Sequence, residues 1–241
     1  MTDTPKNANQ SQRLPVVHFD DCVLPLPESP AETFLVDFSL HPGELVMFHN
    51  DDWHYEKAIV RAACGLLPPR SGRVSFQGRD WRTLSPDRAN ASRGRIGVVL
   101  RNESWIPYQS IMESLILPQL HHTRRPLDAI CRDAVHWAGR FGLPGLPRDL
   151  PAAVGARDRR SANLVRAFIG SPSLIIIEHQ PRALGLKQTE SLINAIRDVR
   201  DRDAAVLWFS RDVAFCLDHT IPATRRLRHG GDALRPQEAA A

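Results

Sequence analysis

Apolar positions along the chain follow two patterns. Short runs at residues 16–19, 34–40, 44–48, 74–76, 95–100, 172–177 and 204–209 have the length and composition of strands, several of them buried on both faces. Between the runs the period changes to helical. Ile59, Ala62, Ala63 and Leu66 share one stripe. Leu127, Ile130, Cys131, Ala134, Trp137, Ala138 and Phe141 keep the same spacing in a helix that starts at Pro126 and stops at Gly142-Leu143-Pro144. Leu192, Ile193, Ile196 and Val199 mark a further helix over 187–202. Pro25, Pro27 and Pro30 place a turn-rich connection between the first two strands. Strands alternating with helices predict an α/β architecture. The polar residues 1–14 read as a disordered tail.

One junction carries candidate chemistry. The polar residues 50–57 lie between the 44–48 strand and the helix over 59–67. A strand, a tight loop and a helix in that order is where a phosphate-binding loop would sit.

Composition narrows the classes. A length of 241 residues suits one compact domain, and 42 % hydrophobic residues supply a sizeable core. The formal charge of +4 is spread out, and the short arginine clusters at 157–160 and 225–228 lack interleaved aromatics, so no nucleic-acid partner is expected. Cys22, Cys64, Cys131 and Cys216 form no paired motif and read as small core residues in a reducing compartment. The first residues carry no apolar leader block, and no stretch approaches 18 apolar residues. The expectation is a cytoplasmic protein, held at the inner face of a membrane only through partner subunits.

The order of the segments is informative. Gly43-Glu44 before an apolar strand, then Gly65-Leu66-Leu67-Pro68 followed by Ser71-Gly72-Arg73-Val74, resembles the flanks of the first phosphate loop in ABC-transporter ATPase (nucleotide-binding) subunits. Residues 96–100, then Val165-Arg166-Ala167-Phe168 leading into the 172–177 strand, then 204–212 match that family's later landmarks in order and spacing. The resemblance runs over roughly residues 16–234. It implies an ABC-type ATPase domain with a mixed central sheet, an antiparallel β layer and a helical subdomain. Its implied layout is a tail at 1–14, one domain at 15–235 with the helical subdomain at about 102–165, and a tail at 236–241. A generic doubly wound α/β domain is the plainer alternative.

Residue by residue, the family's functional positions are altered. The loop G-x-x-x-x-G-K-S/T falls with its glycines on Asn50 and Tyr55, its lysine on Glu56 and its Ser/Thr on Lys57. A one-residue shift would return Lys57 to the lysine position but put Ala58 where a Mg²⁺-binding hydroxyl belongs. Glu56, Asp51 and Asp52 reverse the sign of the local field. The sensor glutamine is Arg101, and the signature falls on Val154-Gly155-Ala156-Arg157-Asp158. The Mg²⁺-organising Asp is Glu178, the catalytic Glu is His179 and the switch His is Arg211. Phe19 stands where an aromatic could stack on adenine, though a core role suits it better.

Together these changes predict a pseudo-ATPase: not an enzyme, using neither ATP nor Mg²⁺, and acting as a structural or regulatory part of a transport complex. Weak ATP binding stays open. Its partners would be a membrane-spanning subunit, an intact ABC ATPase subunit, or both, with a homodimer as one arrangement. Residues 113–120 faintly resemble subunits that serve lipid transport. Two alternatives remain. Lys57, Arg101 and Arg211 could form a rearranged basic clamp for ATP, or Asp51, Asp52, His54, Glu56, Glu178 and His179 could gather around a metal ion.

Overall fold

The computed structural model describes residues 13–178, 181–230 and 233–236. The tail predicted at 1–14 lies outside these except for its last two positions, and the tail at 236–241 except for its first.

Two sheets form the framework. The first is antiparallel, in the order β2 (Thr33–Leu40), β1 (Val17–Pro25), β4 (Ser71–Phe76), β5 (Arg79–Asp80). The second is mixed. Its parallel strands run β9 (Arg225–Gly230), β3 (Leu45–His49), β8 (Ala205–Ser210), β7 (Leu174–Ile177), β6 (Ile96–Val99), and β10 (Ala233–Pro236) closes one edge antiparallel to β9. The mixed central sheet and the antiparallel layer expected from the sequence are both present. β1 runs past the predicted end at residue 19 because a bulge between Phe19 and Cys22, with Asp21 at φ 46°, re-aims the strand instead of ending it.

Alternation along the parallel strands divides the core in two. Leu45, Met47, Ile175, Ile177, Val206 and Trp208 face one apolar cluster, shared with the helices α3 (Ile111–His122), α4 (Leu127–Arg140), α5 (Ala156–Phe168) and α6 (Pro181–Arg200). Val46, Phe48, Leu174, Ile176, Leu207 and Phe209 face the other, shared with the antiparallel sheet and α1 (Trp53–Ala63). Both faces are covered, which is why these strands read as continuous apolar runs.

The chain between β6 and β7 carries α3, α4 and α5. α3 opens with a capping box in which Ser110 and Glu113 satisfy each other's backbone N–H groups. α5 lies tightly on β6: a Cβ built on Gly97 would fall 1.8 Å from the Ala167 carbonyl oxygen. α2 (Pro86–Arg93) and α7 (Val213–Leu217) are short helices that the apolar pattern did not announce. No described helix is long and apolar enough to cross a membrane.

Candidate functional site

β3 delivers the chain to the site. After its last residue, His49, only Asn50, Asp51 and Asp52 precede α1, which begins at Trp53. The expected polar loop over 50–57 is therefore corrected: Tyr55, Glu56, Lys57 and Ala58 are helical. Capping explains the early start. Asp52 Oδ1 accepts the backbone N–H of His54 at 2.9 Å. Asn50 braces the same turn, donating from its amide to the Asp52 carbonyl and accepting the Asp52 N–H at 3.2 Å. No glycine lies between 50 and 58 to open the backbone into an anion-binding loop.

The side chains around this start are engaged locally. His54 Nδ1 is 2.6 Å from Asp52 Oδ1, and its Nε2 is 3.3 Å from Glu28 Oε2. Lys57 donates to Glu28 Oε1 at 2.8 Å and lies 4.9 Å from the centre of the Trp53 ring. Tyr55 meets Phe34 edge-on, with centroids 4.6 Å apart. Burial pushes the Asp52 carboxyl up, but the amide, imidazole and charge of His54 outweigh it and hold the group below its ordinary value.

A cleft of about 580 Å³ opens beside α1, lined by Trp53, Glu56, Lys57, Arg101, Glu178 and Arg211 among others. Here the structure does bring sequence-predicted residues together. Glu56 is 3 % exposed, and its Oε2 accepts from Arg101 Nη2 at 2.6 Å. The backbone N–H of Arg101 donates to Glu178 Oε2 at 3.0 Å. Burial pushes the Glu56 carboxyl up to about 7; Arg101 pulls against this and the charge of Glu178 adds to it. Arg211 is exposed, and its charge bears on both Asp52 and Glu56.

Other predicted residues fall elsewhere. Gly155, Ala156, Arg157 and Asp158 are exposed at the start of α5, outside the lining of this cleft. Phe19 is fully buried and stacked on Phe38 at 4.9 Å, so it is a core ring. Among the described residues, no three His, Cys, Asp or Glu side chains stand close enough to hold a metal ion. His54 is instead shared between Asp52 and Glu28. His179, one of the metal and catalytic candidates, lies outside the described residues.

One group escaped sequence reasoning. Glu103 Oε2 accepts from Trp105 Nε1 at 3.0 Å and from Arg159 Nε at 3.2 Å, and the Glu103 carbonyl accepts from Arg166 Nη2 at 2.6 Å. Arg166 lies 4.6 Å from the Trp105 ring, and burial lowers its pKa to about 10. Asn163 Nδ2 donates to the Leu100 carbonyl at 2.8 Å. These contacts fasten the segment after β6, which carries Arg101, to α5. Glu103 and Arg159 are too far apart in the chain for spacing to reveal them.

The charge test for a nucleotide is mixed. Arg101, Arg211 and Lys57 suit a phosphate tail, whereas Glu56 and Glu178 oppose it.

No family model matches the chain. The phosphonates import ATP-binding protein PhnC of Alcaligenes faecalis is 23 % identical over 203 residues, covering 81 % of this chain and 73 % of that protein. The glutathione import ATP-binding protein GsiA of Shigella dysenteriae is 30 % identical over 185 residues, covering 74 % of this chain but 29 % of that protein. The molybdate/tungstate import ATP-binding protein WtpC of Methanocaldococcus jannaschii is 26 % identical over 163 residues, covering 66 % of this chain and 51 % of that protein. The chain thus spans about half of one of these relatives and under a third of another.

Solved structures agree on the fold. An ATP-binding subunit of an ABC transporter superposes with a TM-score of 0.78 at 16 % identity, covering 92 % of this chain and 90 % of the other. A dimeric post-hydrolysis cassette, MJ0796 bound to ADP and Pi, gives 0.72 at 16 % identity, covering 93 % and 100 %.

These relatives overturn two expectations, that the chain is not an enzyme and that it uses neither ATP nor Mg²⁺. The relatives named are ATP-binding import proteins, and a structural neighbour holds ADP and Pi. Over about three quarters of its length the chain is similar to ATP-binding subunits of ABC transporters, and it has their fold.

Proposed function

We propose that this chain is the ATP-binding subunit of a membrane transport complex and that it takes the phosphate tail of a nucleotide in the cleft between α1 and the segment after β6. The observation that carries this reading is the set of three cationic side chains, Lys57, Arg101 and Arg211, on one cleft at the C-terminal ends of parallel strands. Open α/β sheets bind their ligands at those ends. Arginine is suited to phosphate because its planar fork donates two parallel hydrogen bonds. Arg101 and Arg211 would hold the phosphates, with Lys57 adding charge at the rim. The nucleotide supplies the phosphoanhydride whose binding and turnover drive cassette proteins; the side chains here bind and orient it.

The same similarity supports a membrane-spanning subunit as partner and a second cassette as the other half of a dimer, with this chain as a single domain over residues 15–235 at the cytoplasmic face. The relatives serve phosphonate, glutathione, and molybdate or tungstate import. Cargoes so unlike one another leave the choice of substrate to the membrane subunit.

The test is direct binding of Mg·ATP to the purified chain by calorimetry. Affinity tighter than about 100 µM, lost in Arg101→Ala and Arg211→Ala, supports the reading. No heat up to millimolar nucleotide overturns it.

A further inference from the structure

Arg101, the cation best placed for a phosphate, already holds an anion. Its Nη2 donates to Glu56 Oε2 at 2.6 Å, and its backbone N–H donates to Glu178 Oε2 at 3.0 Å. The Glu56 carboxylate is 3 % exposed, and its second oxygen, Oε1, is buried with no hydrogen-bond partner. Leaving a buried carboxyl oxygen unsatisfied is costly and calls for a compensating role. The residue types are also exchanged. Where the resemblance expects a cation on the helix and an amide on the loop, the helix supplies the anion and the loop the cation.

We infer that Glu56 is an internal competitor for phosphate: its carboxylate occupies the Arg101 guanidinium until an anionic ligand displaces it. The inference rests on the nucleotide reading above and adds a gate to the same cleft. In the closed arrangement Arg101 is paired with Glu56. In the open one the guanidinium turns to the ligand and Glu56 loses its partner. A ligand that needs the open arrangement binds more weakly by the fraction of molecules that are open. The opposite role is also concrete. If Glu56 merely positions Arg101 for the ligand, weakening the pair would loosen the arginine and reduce affinity. The two roles predict changes of opposite sign.

The experiment compares the full chain with Glu56→Gln, Arg101→Ala and the double variant, by calorimetry at constant ionic strength, using Mg·ATP and inorganic tripolyphosphate as probes. Glutamine keeps the shape and one acceptor oxygen, so the fold is retained. The expected result is binding of both probes about tenfold tighter in Glu56→Gln, with the gain absent in the Arg101→Ala background. Equal or weaker binding by Glu56→Gln overturns the inference and makes Glu56 a positioning partner. A gain that persists without Arg101 also overturns it, because simple loss of negative charge then explains the effect. If ATP binds the wild-type chain but Glu56→Gln is no tighter, only the gate falls. If no form binds either probe up to millimolar concentration, the nucleotide reading falls with it.

Discussion

Asp52 Oδ1 accepts the backbone N–H of His54 at 2.9 Å, so the start of α1 is closed by a carboxylate from its own chain. A helix N-terminus offers unpaired N–H groups and a positive dipole end, which favour an anion. In this protein Asp52 is that anion.

Replacing Asp52 with Ala should therefore lower stability by about 1 kcal/mol, the usual value of such a cap. The Asp52 pKa is held below its ordinary value, so its contribution is present above the unfolded pKa and is lost as pH falls through the folded one. Urea denaturation of wild type and Asp52→Ala should show a gap at neutral pH that closes in acid. A constant gap across pH would mean that the carboxylate charge contributes nothing.

Glu56 has the opposite sign. Its pKa is raised from 4.5 to about 7, so the folded protein holds that proton more firmly than the unfolded chain does. Stability from this group is present below the unfolded value and is lost as pH rises toward the folded one. Across that window the loss is about 3 kcal/mol at most. Wild-type stability should fall between pH 5 and pH 7 relative to Glu56→Gln, which has no such titration. Denaturation midpoints tracking each other through that range would remove Glu56 as the cause.

The framework is legible because the central strands β3, β7 and β8 are buried on both faces and are almost wholly apolar. Residues 174–177 and 205–209 could hardly be anything else in water. The start of α1 was not legible. The polar residues 50–57 look like a loop, and the helicity of 53–57 depends on Asp52, on Asn50 bracing the turn, and on Tyr55 meeting Phe34 of β2. Lys57 could be seen as a replacement cation, but its ion pair with Glu28 could not, because Glu28 lies in the proline-rich connection far upstream. Arg101 is legible as an anion binder from its chemistry alone. That its first partner is Glu56 required the fold.

Glu103 should matter for the cleft without touching a ligand there. Its carboxylate joins Trp105 to Arg159, and its carbonyl holds Arg166. Glu103→Ala leaves Arg159 and Trp105 Nε1 without that acceptor, and a loss of about 1–3 kcal/mol is expected. The segment carrying Arg101 would also be less well fixed, so affinity for Mg·ATP should drop while Glu103→Gln, which keeps an acceptor, recovers part of it. Equal affinity in wild type and Glu103→Ala would show that the link to α5 does not support the cleft.

Gly97 sets how closely α5 can approach the sheet. It sits in β6, and α5 crosses so near that the Ala167 carbonyl oxygen would lie 1.8 Å from an added Cβ. That neighbour is backbone in the last turn of a packed helix and cannot swing aside as a side-chain tip would. Gly97→Ala must push α5 off β6 or bend the strand, and overpacking of this kind costs about 1–3 kcal/mol or more. The displacement has a second consequence, because Asn163 and Arg166 on α5 hold the segment that carries Arg101. Gly97→Ala should therefore weaken both stability and Mg·ATP binding, whereas a cavity variant in the antiparallel sheet, such as Phe76→Leu in β4, should reduce stability with little change in binding. If Gly97→Ala lowers stability but leaves affinity unchanged, α5 does not transmit to the cleft and the two parts of the structure are energetically separate.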